Sequence, residues 1–146
     1  MIRANRKECR KRLAELIENK LTVENSFAKE VHAESVKMFT ETPAVVVTSD
    51  GSRRTQLTFQ GLADAYYFLI ETFITFPTQD DTTYTRETVE DSLDNIEAGI
   101  AEVISENNKE SGYWEHLAFA DRSDTINVPG LDGTQYRFER ILIEVT

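Results

Sequence analysis

The clearest pattern in this sequence is a stripe of apolar residues between positions 85 and 107. The stripe consists of Val89, Leu93, Ile96, Ile100, Val103 and Ile104. Spacings of three and four place these side chains on one face of an α-helix. Acidic residues fill the opposite side of its first half, where the helix dipole favours negative charge. The pattern predicts an amphipathic helix that begins after an N-cap at Thr85 and ends at Asn107.

A second helix is predicted over residues 3–21. Its apolar positions are Cys9, Leu13, Leu16 and Ile17, which share one face. The other sides are basic, since six of the sixteen Lys and Arg residues lie between Arg3 and Arg12. A solvated charged surface explains this pattern, and contact with an acidic partner surface is the alternative.

Residues 22–42 predict only a short strand or an irregular connection. Pro43 then precedes a β-branched run at residues 44–48, which is typical of a buried strand. The sequence Asp50-Gly51-Ser52 is typical of a turn, and we expect it to end that strand.

The longest β pattern covers residues 55–76, with Gly61 as a bulge or bend. From residue 66 onward the side chains alternate, and both alternating sets are largely apolar. Both faces should therefore be covered, one by a helix and the other by a second sheet or a neighbouring subunit. The candidate subunit-interface residues are Tyr66, Phe68, Ile70, Ile74 and Phe76.

The last third of the chain predicts strands at residues 113–121, 125–128 and 135–146, with a turn at residues 129–133. Tyr113, Trp114 and Phe119 are expected in the core. The order of elements predicts an α+β fold in one domain spanning residues 1–146. We expect a mostly antiparallel sheet with two helices packed on one face and a long β-hairpin arm.

Charge and composition narrow the classes of function. The chain has 26 acidic and 16 basic residues and a formal charge of −10, which argues against a broad surface for nucleic acid. The single cysteine, Cys9, excludes an internal disulfide and is best explained as a small apolar residue. The sequence contains no apolar run typical of a signal peptide or membrane helix, so we expect a soluble, cytoplasmic protein.

The sequence gives no positive support for catalysis. The only histidines are His32 and His116, and neither stands in a motif. Asp91 and Asp94 lie on the outer face of a predicted helix, where solvated charge is the better explanation. The aspartates of the loop at residues 121–132 are typical of turns and lack EF-hand spacing. We therefore predict no catalytic residue, no metal ligand and no cofactor.

The order of elements resembles the tail terminator proteins of long-tailed bacteriophages, also called minor tail or tail completion proteins. Residues 43–47, 66–76 and 136–145 carry the resemblance. It covers nearly the whole chain apart from residues 22–42, and its motifs are not specific when taken singly.

The resemblance implies a structural protein rather than an enzyme. Members of the family form a hexameric ring that caps the tail tube, ends tail elongation and presents an interface for head joining. The implied partners are other copies of the chain, the tail tube protein and the head–tail connector protein. DNA would pass through the lumen without specific binding, and no membrane is involved. The implied location is the head-proximal end of the virion tail, after assembly in the host cytoplasm.

Three alternatives stay open at this point. A head–tail joining or head completion ring protein would share the same size and acidity. A small metal-dependent hydrolase would use Asp91 and Asp94, or the loop at residues 121–132. A regulatory module would bind a partner through an exposed strand edge.

Overall fold

The computed structural model describes residues 4–36, 39–54, 63–75, 86–129 and 135–146. They form two α-helices, a π-helical turn and a six-stranded, mostly antiparallel sheet, which confirms the predicted α+β fold. The helical elements are α1 (Arg6–Glu18), the π-helical turn (Asn19–Glu24) and α2 (Arg86–Glu106). The strands are β1 (Glu30–His32), β2 (Ala44–Arg54), β3 (Ala63–Thr75), β4 (Leu117–Phe119), β5 (Asp124–Pro129) and β6 (Gln135–Val145).

The strands are ordered β1-β2-β3-β6-β4, and β5 pairs with a second part of β6. β1 runs parallel to β2, while the other described pairs are antiparallel. β3 and β6 occupy the centre of the sheet and pair along ten residues, from Tyr66 opposite Val145 to Thr75 opposite Tyr136. The predicted C-terminal strand is therefore paired on both of its edges within the fold.

α1 begins at a capping box. The Asn5 side chain accepts a hydrogen bond from the Glu8 N–H, and the Glu8 carboxylate accepts one from the Asn5 N–H, both at 2.9 Å. The buried face of the helix consists of Cys9, Leu13, Ala14 and Ile17. The predicted helix over residues 3–21 is thus confirmed in type, although its last turns are π-helical.

The π-helical turn places Leu21 against α2. The Leu21 side chain is fully buried, and a Cβ atom on Gly99 would lie 2.5 Å from Leu21 Cδ2. Only glycine permits this close approach without displacing the Leu21 side chain. The contact explains a glycine in the middle of a helix, where glycine is otherwise unfavourable.

The predicted turn at residues 50–52 is wrong, because β2 continues through it to Arg54. Ser49 pairs with Phe68 and Ser52 pairs with Tyr66, so β2 contains one extra residue between these pairs. The extra residue forms a β-bulge, and Gly51 adopts a φ of 111° within it. Turn-forming residues here allow the strand to bulge rather than end.

The core lies between the helices and one face of the sheet. All six members of the predicted α2 stripe are buried there, as is Trp114, whose Nε1 donates a hydrogen bond to the Asn107 carbonyl at 2.9 Å. Tyr113 is partly buried against the same core. Phe119 was predicted in the core but is 43% exposed, since β4 ends at this residue near the edge of the sheet.

Candidate subunit interface on the sheet

Four of the five predicted interface residues are buried within a single chain. Tyr66, Phe68, Ile70 and Ile74 are at most 5% exposed and belong to the core beneath the helices. Phe68, Ile70 and Ile74 are fully enclosed within one chain and offer no surface to a neighbour, whereas Tyr66, 5% exposed, reaches the groove between α1 and β2. Phe76, the fifth candidate, lies outside the described residues, as does Gly61.

The opposite face of the sheet carries the other alternating set of β3, and we call it the open face. No described helix contributes to its packing, because the buried helical side chains share their core with the first face. Tyr67, Leu69 and Phe73 of β3 are only half-buried there. Leu142 lies beside Leu69 on β6, also half-buried. The open face therefore leaves apolar side chains of the two central strands accessible.

One end of the open face is closed by aromatic rings. The centroid of Phe39 lies 4.9 Å from that of Phe73, and Phe73 lies 5.0 Å from Phe138. Tyr136 meets both Phe39 and Phe73 edge-on at 6.0 Å. These distances are typical of favourable aromatic pairs. Phe138 and Tyr136 are consequently buried, while the surface toward Leu69 and Leu142 stays accessible.

Charged residues border the apolar strip of the open face. Arg140 Nη2 lies 3.5 Å from Glu71 Oε2, and the Arg140 guanidinium stands 5.6 Å from the Phe138 ring centre. Arg53 Nη2 lies 3.9 Å from Glu144 Oε1. The Glu71–Arg140 pair separates Leu69 and Leu142 from the aromatic cluster at Phe73 and Phe138, so apolar and charged pairs follow one another along the central strands. Protein–protein contact surfaces commonly combine apolar and polar groups in this way.

A shallow groove of about 480 Å³ adjoins the open face at β5 and β6. Ile126 is half exposed in it, beside Phe138 and Arg140. β5 pairs with β6 on one side only among the described residues, so its second edge carries free backbone groups. An exposed strand edge of this kind is a template for pairing with another chain.

The residues that the sequence singled out for chemistry lie apart. Asp91 and Asp94 are exposed on α2, and Asp121 is exposed beyond β4. His32 Nε2 lies 3.3 Å from its near neighbour Glu30 Oε2, whereas His116 lies in a separate exposed segment. In the described part of the chain, no three His, Cys, Asp or Glu side chains are grouped so as to hold a metal ion.

Cys9 is equally unsuited to chemistry. Its side chain is fully buried, and burial raises the pKa of the Cys9 thiol to about 11, with the nearby Glu8 carboxylate acting in the same direction. A thiol that stays protonated near neutral pH is a poor nucleophile. Its role is the packing that the sequence predicted.

Glu139 is a buried charge that the sequence prediction missed. It is 6% exposed on the helix-covered face of β6 and accepts a hydrogen bond from the Ser123 hydroxyl at 3.0 Å. Burial raises the pKa of the Glu139 carboxyl, and the nearby Glu97 and Asp94 raise it further. Glu139 alternates with Ile141 and Ile143 along β6 and therefore lies on the same face of the strand. This alternation is the sequence signal from which its burial could have been predicted.

Comparison with known proteins adds no family assignment. No protein-family model matches this sequence, and no curated protein shows significant similarity to it. None of the helices in the described ranges is long and apolar enough to cross a membrane.

Proposed function

We propose that this chain is a phage tail terminator, a structural subunit that assembles into a hexameric ring at the head-proximal end of the tail. The ring would cap the tail tube, end its elongation and present the interface for head joining. The open face is the observation that carries the proposal. It is an accessible apolar surface, bordered by charges, on the central strands of a domain whose other face has its own helices.

The burial pattern supports association better than catalysis. Leu69 pairs with Leu142 across β3 and β6, and Tyr67 lies next to Leu69 on the same face of β3; all three side chains are partly accessible. Contiguous apolar surface of this kind marks a contact with another macromolecule. The resemblance of residues 43–47, 66–76 and 136–145 to tail terminators supplies the identity of the assembly.

Ring formation requires two different complementary surfaces on each subunit, because identical subunits close a ring through head-to-tail contacts. The open face provides one apolar member of such a pair. The free edge of β5 beside Ile126 provides an adjoining surface that backbone hydrogen bonds would extend.

The oligomeric mass tests the proposal. Six chains of 16.7 kDa give about 100 kDa, and light scattering over a range of concentrations should approach this value. Electron microscopy of the same sample should show rings, and added tail tubes should acquire one ring at a single end. Binding to filled heads without binding to tubes would favour the head–tail joining alternative instead.

Leu69→Asp should abolish the ring while the monomer stays folded, because it places a charge on the accessible strip. Phe68→Asp, at the adjacent position, should unfold the monomer, because it buries an unpaired charge in the core. Val23→Asp is the matched control, since Val23 is 71% exposed on the π-helical turn and away from the open face. Circular dichroism and light scattering separate these outcomes. A ring that persists in a folded Leu69→Asp protein contradicts the assignment of the open face.

A further inference from the structure

A basic groove lies where the start of α1 crosses the end of β2. It has a volume of about 870 Å³, and four cationic side chains with a hydroxyl and a phenol line most of it. These are Arg6, Lys7, Arg10, Arg54, Ser52 and Tyr66. The charge is concentrated there although the whole chain carries a formal charge of −10. We call this feature the basic groove.

Among the described residues, no carboxylate is paired with the α1 cations of this groove. Arg6 Nη1 donates a hydrogen bond to Ser52 Oγ at 3.0 Å, and Arg10 Nη1 donates one to Ser49 Oγ at 3.3 Å. Within the described ranges, no carboxylate oxygen lies within ion-pair distance of Arg6, Lys7 or Arg10. The buried Arg10 Nε also has no hydrogen-bond partner there. Neutral hydroxyls therefore position Arg6 and Arg10, and no described carboxylate compensates their charge.

The opposite charge is concentrated on the first half of α2, which we call the acidic pole. It contains Glu90, Asp91, Asp94 and Glu97. Arg137 Nε binds Glu90 Oε1 at 2.9 Å, whereas Asp91 and Asp94 are exposed and form no ion pair with any described residue.

The basic groove and the acidic pole lie at opposite ends of the sheet. Tyr66 lines the groove at one end of the β3–β6 pairing. Arg137, which binds Glu90 of the acidic pole, pairs with Ile74 near the other end. Eight residues of strand separate Tyr66 from Ile74, which corresponds to about 26 Å at roughly 3.3 Å per residue. The two surfaces therefore cannot neutralise each other within one chain.

We propose that the basic groove binds the acidic pole of a second copy of this chain, in a head-to-tail contact. The two surfaces have opposite charge, differ in structure and lie at opposite ends, as a heterologous contact requires. Duplex DNA is the alternative ligand for the basic groove. The net negative charge of the chain repels a long polyanion such as DNA more strongly than it repels one acidic helix face. This inference rests on the proposed function, because it names the charged contact by which subunits of the ring meet.

Charge-swapped variants test the contact. One variant carries Arg6→Glu with Lys7→Glu, and the second carries Asp91→Lys with Asp94→Lys; all four side chains are exposed, so both proteins should fold. Each variant alone removes the net charge of one of the two surfaces and should weaken self-association at least about tenfold. An equimolar mixture should recover association, because the unchanged basic groove of one variant can bind the unchanged acidic pole of the other. Lys29→Glu with Lys109→Glu is the control, since it changes the net charge equally at exposed positions away from the groove.

Sedimentation velocity and salt dependence give the readout. Wild-type association should weaken at least about tenfold between about 0.05 M and about 0.5 M NaCl, because screening shortens the Debye length several-fold. Self-association that neither charge reversal nor salt changes would overturn the inference while leaving the ring proposal standing. Salt-sensitive dimers or open linear assemblies that never close into a six-subunit ring would support the contact but overturn the ring proposal. A monomeric wild-type protein at low salt, or duplex DNA binding that Arg6→Glu with Lys7→Glu removes without changing association, would also overturn it.

Discussion

At the level of single residues, Thr72 is a polar side chain buried in the core. It faces the helices from the centre of β3, it is fully buried, and its Oγ1 has no hydrogen-bond partner among the described residues. A buried hydroxyl without a partner destabilises the folded state. Thr72→Val should therefore raise the free energy of unfolding by about 1 kcal/mol.

Urea unfolding checks this prediction. Thr125→Val makes the same substitution at an exposed position of β5 and should change stability far less. A loss of stability in Thr72→Val would indicate that the hydroxyl has a partner that the valine cannot replace.

Glu139 lies opposite Thr72 across β3 and β6, and its charge makes stability depend on pH. Burial, Glu97 and Asp94 raise its pKa, while the Ser123 hydrogen bond and Arg137 oppose them. A raised folded-state pKa means that the contribution to stability is fully present below the unfolded pKa. It is lost as the pH rises through the folded pKa. Glu139→Gln keeps an acceptor for Ser123 without the charge.

We expect Glu139→Gln to exceed the wild type in stability near neutral pH, with a difference that shrinks toward acid. Urea unfolding from about pH 4 to about pH 8 measures it. The exposed Glu18→Gln variant controls for the loss of one negative charge. A stability difference that is constant over this pH range would show that ionisation of the buried Glu139 carboxyl does not lower the stability of the wild type.

At the level of elements, the contact between the π-helical turn and α2 depends on one glycine. Gly99→Ala places a methyl group 2.5 Å from Leu21 Cδ2, so the fully buried Leu21 side chain must shift within a densely packed core. We expect a loss of about 1–3 kcal/mol, although alanine favours helix formation. Thermal unfolding should show it, and Asn95→Ala on the exposed side of α2 should show no loss.

A double-mutant cycle identifies the cause of that loss. In a Leu21→Ala background the overlapping atoms are absent, so Gly99→Ala should cost much less than in the wild type. An equal cost in both backgrounds would place the strain elsewhere in α2.

The elements also show how far local pattern extends. The α2 stripe was predicted residue by residue, because 3.6-residue periodicity over six turns has few alternatives. The end of β2 was mispredicted, because Asp50-Gly51-Ser52 satisfies a turn and a bulge equally well. Pairing with Phe68 and Tyr66 on β3 selects the bulge, and that pairing is a long-range interaction.

At the level of the whole molecule, the arrangement of surfaces is the principal result. The open face, the basic groove and the acidic pole lie on different parts of the described structure, and Tyr66 of the groove also packs in the core. The apolar surface would contribute most to the free energy of assembly, while the charges would orient the subunits and set the register. The ring and charge-swap experiments test these two contributions separately.

The sequence by itself determined the fold class, both helices, the C-terminal strand and the two-sided apolar character of β3, because each follows from local periodicity. Only the tertiary structure decided which face of β3 is buried. Alternation separates Phe68 from Leu69 but does not say which of them meets the helices. The tertiary structure also places Arg6 beside Ser52 and separates the basic groove from the acidic pole. Residues distant in sequence acquire a common surface only when the sheet is paired and the helices are packed on it.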